Sequence, residues 1–156
     1  KGFKSSTKEF NKNNIKVVFS GRKEPLSDKV YESMKSLEKE TLNNTGGILN
    51  ICLNYGGQTE IVDTTKKLIN DVLDGKLKIE DITPEIFMKN LYNDLPPMDF
   101  LIRTSGEIRV SNFMLFSLAY AEMYFPHTYF PDFKESEFDK ALEEYTKRDR
   151  RFGKNK

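Results

Sequence analysis

The run Ile48-Leu49-Asn50-Ile51-Cys52-Leu53 leads directly into Asn54-Tyr55-Gly56-Gly57, and the reading of this stretch decides the fold. A short, largely apolar run rich in Ile and Leu, stopped by a turn tetrapeptide, reads as a strand. Paired glycines permit a tight turn and a close backbone approach. From about Thr59 to Leu73 the chain then places Ile61, Leu68, Ile69 and Val72 on the inward side of a helix, and Gly75 closes it. Strand, glycine turn and helix form one βα unit.

The same unit recurs in both directions. Upstream, Ile15-Lys16-Val17-Val18-Phe19 is a β-branched run closed by Ser20-Gly21. A helix follows, with Ser27 or Asp28 as N-cap and Val30, Met34, Leu37 and Thr41 on one face, ending at Asn43-Asn44-Thr45-Gly46-Gly47. Downstream, Thr83-Pro84 supplies the N-cap and first position of a short helix through Tyr92. Pro96-Pro97 breaks the chain before a strand at Phe100-Leu101-Ile102. The loop from Arg103 to Val110 leads to Ser111, read as the cap of a helix running to about Ala121. A short strand at Met123-Tyr124-Phe125 and a last helix marked by Phe138, Ala141, Leu142 and Tyr145 complete the pattern. Residues 1–14 form a polar lead-in without strong periodicity, and residues 147–156 a basic C-terminal tail. Alternation of this kind predicts an α/β fold, a mostly parallel sheet flanked by helices, in a single domain over 1–156. There is no internal repeat.

Composition narrows the function. Among 156 residues, 25 Lys+Arg face 24 Asp+Glu, a net charge of +1 that argues against binding nucleic acid by bulk electrostatics. No apolar run approaches the roughly 18 residues of a membrane span, and the start shows no signal-peptide pattern. One Cys and one His make neither an internal disulfide nor a Cys/His zinc site. A reducing, cytoplasmic compartment is the expectation. The chain opens Lys1-Gly2-Phe3 without an initiator Met, as expected for a piece of something longer.

Ligands of open parallel sheets bind outside the carboxyl ends of the strands. Two such ends stand out. Asn54-Tyr55-Gly56-Gly57 alone is a weak signal for a site and reads first as a plain strand-to-helix turn. Arg103-Thr104-Ser105-Gly106-Glu107-Ile108-Arg109-Val110-Ser111-Asn112 is more telling, because two Arg at the end of a buried strand are costly to hold close without an anion. Guanidinium forks match phosphate oxygens, and Glu107 can orient one of them; a solvated loop with a capping Ser is the plainer alternative. No Walker-type or Gly-x-Gly-x-x-Gly motif is present. Glu122, beside Met123-Tyr124-Phe125, is placed to hold Mg²⁺ together with substrate phosphates, or is an ordinary Glu at a helix end. His127 lacks a Ser or Cys motif to pair with and reads as structural. The tail from Lys147 holds six basic residues and one Asp, as a solvated helix end or as an arm that reaches a phosphate. Tyr124, Phe125, Tyr129, Phe130 and Phe133 suit a core or an oligomer contact.

Five segments together resemble the cis-prenyltransferases, most closely the bacterial undecaprenyl diphosphate synthase type. They are Asn54-Tyr55-Gly56-Gly57, Arg103 to Phe113, Ala119-Tyr120-Ala121-Glu122, Phe130-Pro131-Asp132-Phe133 and Arg148-Asp149-Arg150-Arg151-Phe152-Gly153. They occur in the family's order over roughly residues 15–153. The resemblance implies condensation of isopentenyl diphosphate onto an allylic diphosphate of the farnesyl type, with Mg²⁺, to make a polyprenyl diphosphate carrier lipid. It implies a homodimer that is cytoplasmic, or peripheral at a membrane surface where product is released. By position, Arg103, Arg109 and Ser111 bind the isopentenyl diphosphate head group, and Glu107, the implied catalytic carboxylate, supports the Arg cluster. Glu122 joins the metal site, and Arg151 with Gly153 matches the tail motif that reaches the partner's substrate.

Departures from the family pattern are as informative. Its Asp-Gly-Asn-Gly-Arg motif is missing, and Asp74-Gly75-Lys76 closes a mid-chain helix and is no substitute. The Ser-x-x-Asn-Trp segment is missing too, consistent with zero Trp. Gln58 stands where the family usually has Arg, and Lys154 where a second tail Gly is common. The expectation is therefore the C-terminal two-thirds of such an enzyme, inactive alone and prone to dimerise or aggregate. The second reading is a non-catalytic accessory subunit of a heteromeric cis-prenyltransferase.

Overall fold

The computed structural model describes residues 6–148. The chain divides into two compact units, one ending at Asp94 and one beginning at Leu95. The first contains α1 (Thr7–Lys12), β1 (Ile15–Ser20), α2 (Asp28–Glu40), β2 (Gly47–Cys52), α3 (Gly57–Leu73) and α4 (Pro84–Lys89). β1 and β2 pair in parallel, from Ile15 opposite Gly47 to Ser20 opposite Cys52. Parallel neighbours need a crossover, and α2 lies within it. Its buried Met34 and Leu37 join Val17 of β1, which is fully buried, in the core of this unit.

The edge of β1 away from β2 meets side chains of the α2 segment. Thr41, fully buried just past α2, accepts the Val17 N–H at 3.0 Å and donates to the Leu37 carbonyl at 2.8 Å. Glu38 accepts the Phe19 N–H at 2.9 Å. Two ladder donors that an adjoining strand would otherwise take are thus satisfied locally.

Three differences from the sequence reading concern this unit. The polar lead-in contains α1, too short to show periodicity, and Asn44 bonds back to Asn11 and to the Ile15 carbonyl at 2.8 and 2.7 Å. α4 ends at Lys89, well before Tyr92. The inward face of α3 is Gly57, Glu60, Thr64 and Leu68, whereas Ile69 is 53% exposed. Leu68 is buried as expected and Ile61 and Val72 are half-buried, but apolar spacing alone missed Glu60 and Thr64, polar members of that face with partners.

The second unit contains β3 (Phe100–Ile102), β4 (Glu122–Tyr124) and α5 (Glu135–Thr146). β3 and β4 are parallel, with Phe100 opposite Glu122 and Ile102 opposite Tyr124. Leu101, Leu118 and Ala141 are buried. The helix expected from Ser111 to Ala121 is not formed, and successive turns replace it. Ser111, Asn112 and Met114 have φ of 46°, 61° and 39°, left-handed values that a right-handed helix of L-residues cannot continue. Ser111 is therefore not a helix cap. Parallel strand pairs with helices against them agree with the α/β expectation.

Thr41→Val keeps the shape of the side chain but leaves the buried Val17 N–H without an acceptor. It is expected to lower unfolding stability by about 1–3 kcal/mol, read as a shifted denaturant midpoint, whereas Thr41→Ser stays near wild type.

Candidate functional site

At the strand ends of the first unit the chain folds into a tight polar lattice. Gly21 has φ +136°, and a Cβ there would lie 1.9 Å from the Leu53 carbonyl oxygen, so no other residue fits. Asn54, itself at φ 50°, accepts the Arg22 N–H through its carbonyl at 3.2 Å and donates its side-chain amide to the carbonyls of Arg22, at 2.8 Å, and Glu24. Glu60 is 3% exposed, accepting from the Tyr55 hydroxyl and, at 3.2 Å, from the Tyr92 N–H. One helical turn on, Asp63 receives a two-pronged ion pair from Arg22 at 2.8 and 2.5 Å, and the Tyr92 hydroxyl at 2.6 Å. Arg22 and Tyr92 together hold the Asp63 carboxyl at about 2, below its usual 3.8, against the opposing effect of burial. Burial and the Asp63 hydrogen bond push the Tyr92 hydroxyl up to about 12. Asn93 reaches the Phe19 carbonyl and Ser20 Oγ, both at 2.9 Å. Thus Arg22 holds Asn54 and Glu60 holds Tyr55, while Asp63 and Tyr92 brace those two partners; the sequence reading named none of the four as a site residue. The only sequence signal for Arg22 is a charge directly after the Ser20-Gly21 strand end.

The second unit carries the basic loop. Arg103 leaves β3 with its N–H on the Tyr124 carbonyl at 3.0 Å, which fixes the start of the loop to β4. Its guanidinium curls inward, donating to the Arg109 carbonyl at 2.6 Å and to Ser111 Oγ at 2.9 Å. Glu107 ion-pairs with Arg109. The loop is also latched by backbone bonds from Ser105 to the Thr128 carbonyl and from Gly106 to the Pro126 carbonyl, each 2.8 Å. Ser105 and Gly106 have φ 72° and 69°, and a Cβ on Gly106 would lie 2.7 Å from His127 Nδ1. His127 is thus a wall of the loop, in keeping with its reading as structural.

The structure therefore brings Arg103, Glu107, Arg109 and Ser111 into one loop. Glu122 begins β4, across the ladder from Phe100, and its carboxylate is ion-paired with Arg148 at 2.7 Å. Among the described residues no three His, Cys, Asp or Glu side chains gather as a metal cage. Glu122 on its own offers hard carboxylate oxygens, which fit a cation such as Mg²⁺ only when phosphate oxygens and water complete its shell. Arg151 and Gly153 lie outside the described residues.

The second unit thus sets a guanidinium loop after the end of β3 and a carboxylate at the start of the parallel neighbour β4. A family model described as "Putative undecaprenyl diphosphate synthase", of the prenyltransferases, matches residues 1–153. An isoprenyl transferase of Fusobacterium nucleatum is 48% identical over 153 residues, covering 98% of this chain and 64% of the relative. A Pyrococcus furiosus tritrans,polycis-undecaprenyl-diphosphate synthase, named as geranylgeranyl-diphosphate specific, is 47% identical over 141 residues, covering 90% of this chain and 53% of the relative. Among solved structures, lavandulyl diphosphate synthase from Lavandula x intermedia, in complex with dimethylallyl diphosphate, superposes with a TM-score of 0.89 at 32% identity. That similarity covers 97% of this chain and 66% of the other. The chain belongs to the undecaprenyl diphosphate synthase family of prenyltransferases. It spans 53–64% of the length of these two curated relatives.

The Arg22–Asp63 pair has a pH consequence. A carboxyl held at about 2 in the folded chain, against 3.8 ordinarily, contributes stability that is complete above pH 3.8 and lost as pH falls through 2. Denaturant midpoints of wild type are expected to drop between about pH 4 and 2 more steeply than those of Asp63→Asn, which lacks the titrating group.

Proposed function

We propose that this chain carries the isopentenyl-diphosphate half of a cis-prenyltransferase active site. The whole reaction is condensation of isopentenyl diphosphate onto an allylic diphosphate, such as farnesyl diphosphate, to build a polyprenyl diphosphate. The observation that carries the reading is the Arg103 guanidinium, folded back on Ser111 Oγ and the Arg109 carbonyl beside the Arg109–Glu107 pair. Neutral oxygens stand where an anion's oxygens would be better partners.

In this reading the diphosphate head group takes Arg103 N–H donors and the Ser111 hydroxyl, and Arg109 adds a second guanidinium fork. Glu107 acts through Arg109 as a positioning residue, keeping the guanidinium over the loop when no substrate is present. During condensation the allylic C–O bond breaks, the leaving diphosphate takes the electron pair, and a new C–C bond forms to the isopentenyl double bond. Fixed positive groups are most effective where that charge develops. Glu122 would be the protein ligand for Mg²⁺, which would supply Lewis-acid stabilisation of diphosphate oxygens. Arg151 and Gly153 take, in this reading, the role of the family's tail motif, which serves the partner's active site in a homodimer. Among the described residues no helix is long and apolar enough to cross a membrane; the setting of this reading is a cytoplasmic enzyme with peripheral membrane contact for product release. The accessory-subunit reading gains no support from the Arg103–Ser111 loop, whose phosphate-binding side chains are all present.

Arg103→Ala is expected to weaken isopentenyl diphosphate binding to this chain by about 1.5–3 kcal/mol, the range for a charge-assisted bond. Calorimetry reads the affinity, and the thermal midpoint should move little. An equal loss of affinity and of fold would contradict a substrate role.

A further inference from the structure

The Glu122–Arg148 ion pair is not explained by the head-group site, and the packing around it is specific. Phe100 lies opposite Glu122 in the β3–β4 ladder. The Tyr145 ring near the end of α5 packs on Phe100 with centroids 4.9 Å apart, and Phe100 in turn lies 6.4 Å from Tyr124. That aromatic contact brings the end of α5 to the start of β4. Arg148, three residues beyond Tyr145 and hydrogen-bonded by its N–H to the Tyr145 carbonyl at 3.1 Å, then reaches Glu122 Oε2 through NH1 at 2.7 Å. The two side chains are 35% and 26% exposed, so solvent and cations have access to the pair.

We propose that Arg148 is a positioning residue that occupies the Glu122 carboxylate and competes for it with a divalent cation. Cation entry at Glu122 and release of the Arg148 guanidinium are then one coupled event. The inference rests on the metal role given to Glu122 above. A guanidinium and a divalent cation cannot both sit on the same carboxylate oxygen without like-charge repulsion, so each lowers the other's affinity by the same factor.

The test titrates Mn²⁺, followed by water-proton relaxation at a fixed level of inorganic pyrophosphate, into wild type, Arg148→Ala, Arg148→Lys and Glu122→Gln. Arg148→Ala is expected to bind Mn²⁺ about fivefold more tightly than wild type, Arg148→Lys to fall between them, and Glu122→Gln to bind weakest. In parallel, tryptic cleavage after Arg148, followed by mass spectrometry, should speed up with Mn²⁺ in wild type and not in Glu122→Gln. If Glu122→Gln binds as well as wild type, or no variant binds, the metal role of Glu122 fails and the competition with it. If Glu122→Gln binds weakly while Arg148→Ala and Arg148→Lys match or fall below wild type, the competition alone is overturned. Thermal midpoints identify a misfolded variant, and the Lys variant, which keeps the charge, decides if the Ala variant does not fold.

Discussion

Two guanidinium groups that leave one strand end close together repel each other, and each has several N–H donors to satisfy. The loop from Arg103 to Ser111 is shaped by that constraint. Arg103 satisfies its donors on the Arg109 carbonyl and Ser111 Oγ, and Glu107 neutralises Arg109. Meeting these demands within nine residues forces the backbone through left-handed conformations at Ser105, Gly106 and Ser111. Those conformations in turn exclude a regular helix and require outside support. Backbone bonds to Pro126 and Thr128, and the His127 ring against Gly106, supply it. The arrangement holds its charges ready at low reorganisation cost, which is what electrostatic stabilisation of a diphosphate needs.

The first unit solves a different problem by similar means. Its core is small, and much of its order comes from buried polar groups with assigned partners. Thr41 and Glu38 satisfy β1, Glu60 ties Tyr55 to the backbone of Tyr92, and Asp63 gathers Arg22 and Tyr92. Among the described residues, no buried side-chain nitrogen or oxygen is left without a partner. A lattice of this kind fixes one conformation of the turn after β2 more firmly than apolar contacts alone, because each missing partner would leave a desolvated polar group.

The elements that the sequence showed plainly were those with a local cause. β1, β2 and β3 are apolar runs closed by turn residues, and α4 starts at a Thr-Pro cap whose Thr83 Oγ1 accepts the Ile86 N–H at 3.3 Å. The basic loop was legible because Arg, Gly, Glu and Ser occur together after a strand. What was hidden depends on distant partners. Glu60 and Thr64 look like solvent positions until Tyr55, Tyr92 and Asn90 are placed beside them. The segment after Ser111 has helix-like composition, and only its left-handed backbone rules the helix out. Arg148 belongs to a run of basic residues, and its pairing with Glu122, 26 positions away, depends on how α5 packs against β3.

The central claim is that the Arg103–Ser111 loop is a diphosphate receptor already folded before its ligand arrives. Side-chain Nε–Hε NMR resonances of Arg103 and Arg109, followed during titration with isopentenyl diphosphate, test it most directly. Saturable shifts of both resonances, with Arg22 unmoved as an internal control because Asp63 already holds it, are the predicted result. Shifts confined to Arg22 or to residues outside the loop, with Arg103 and Arg109 unchanged at saturation, would contradict the account.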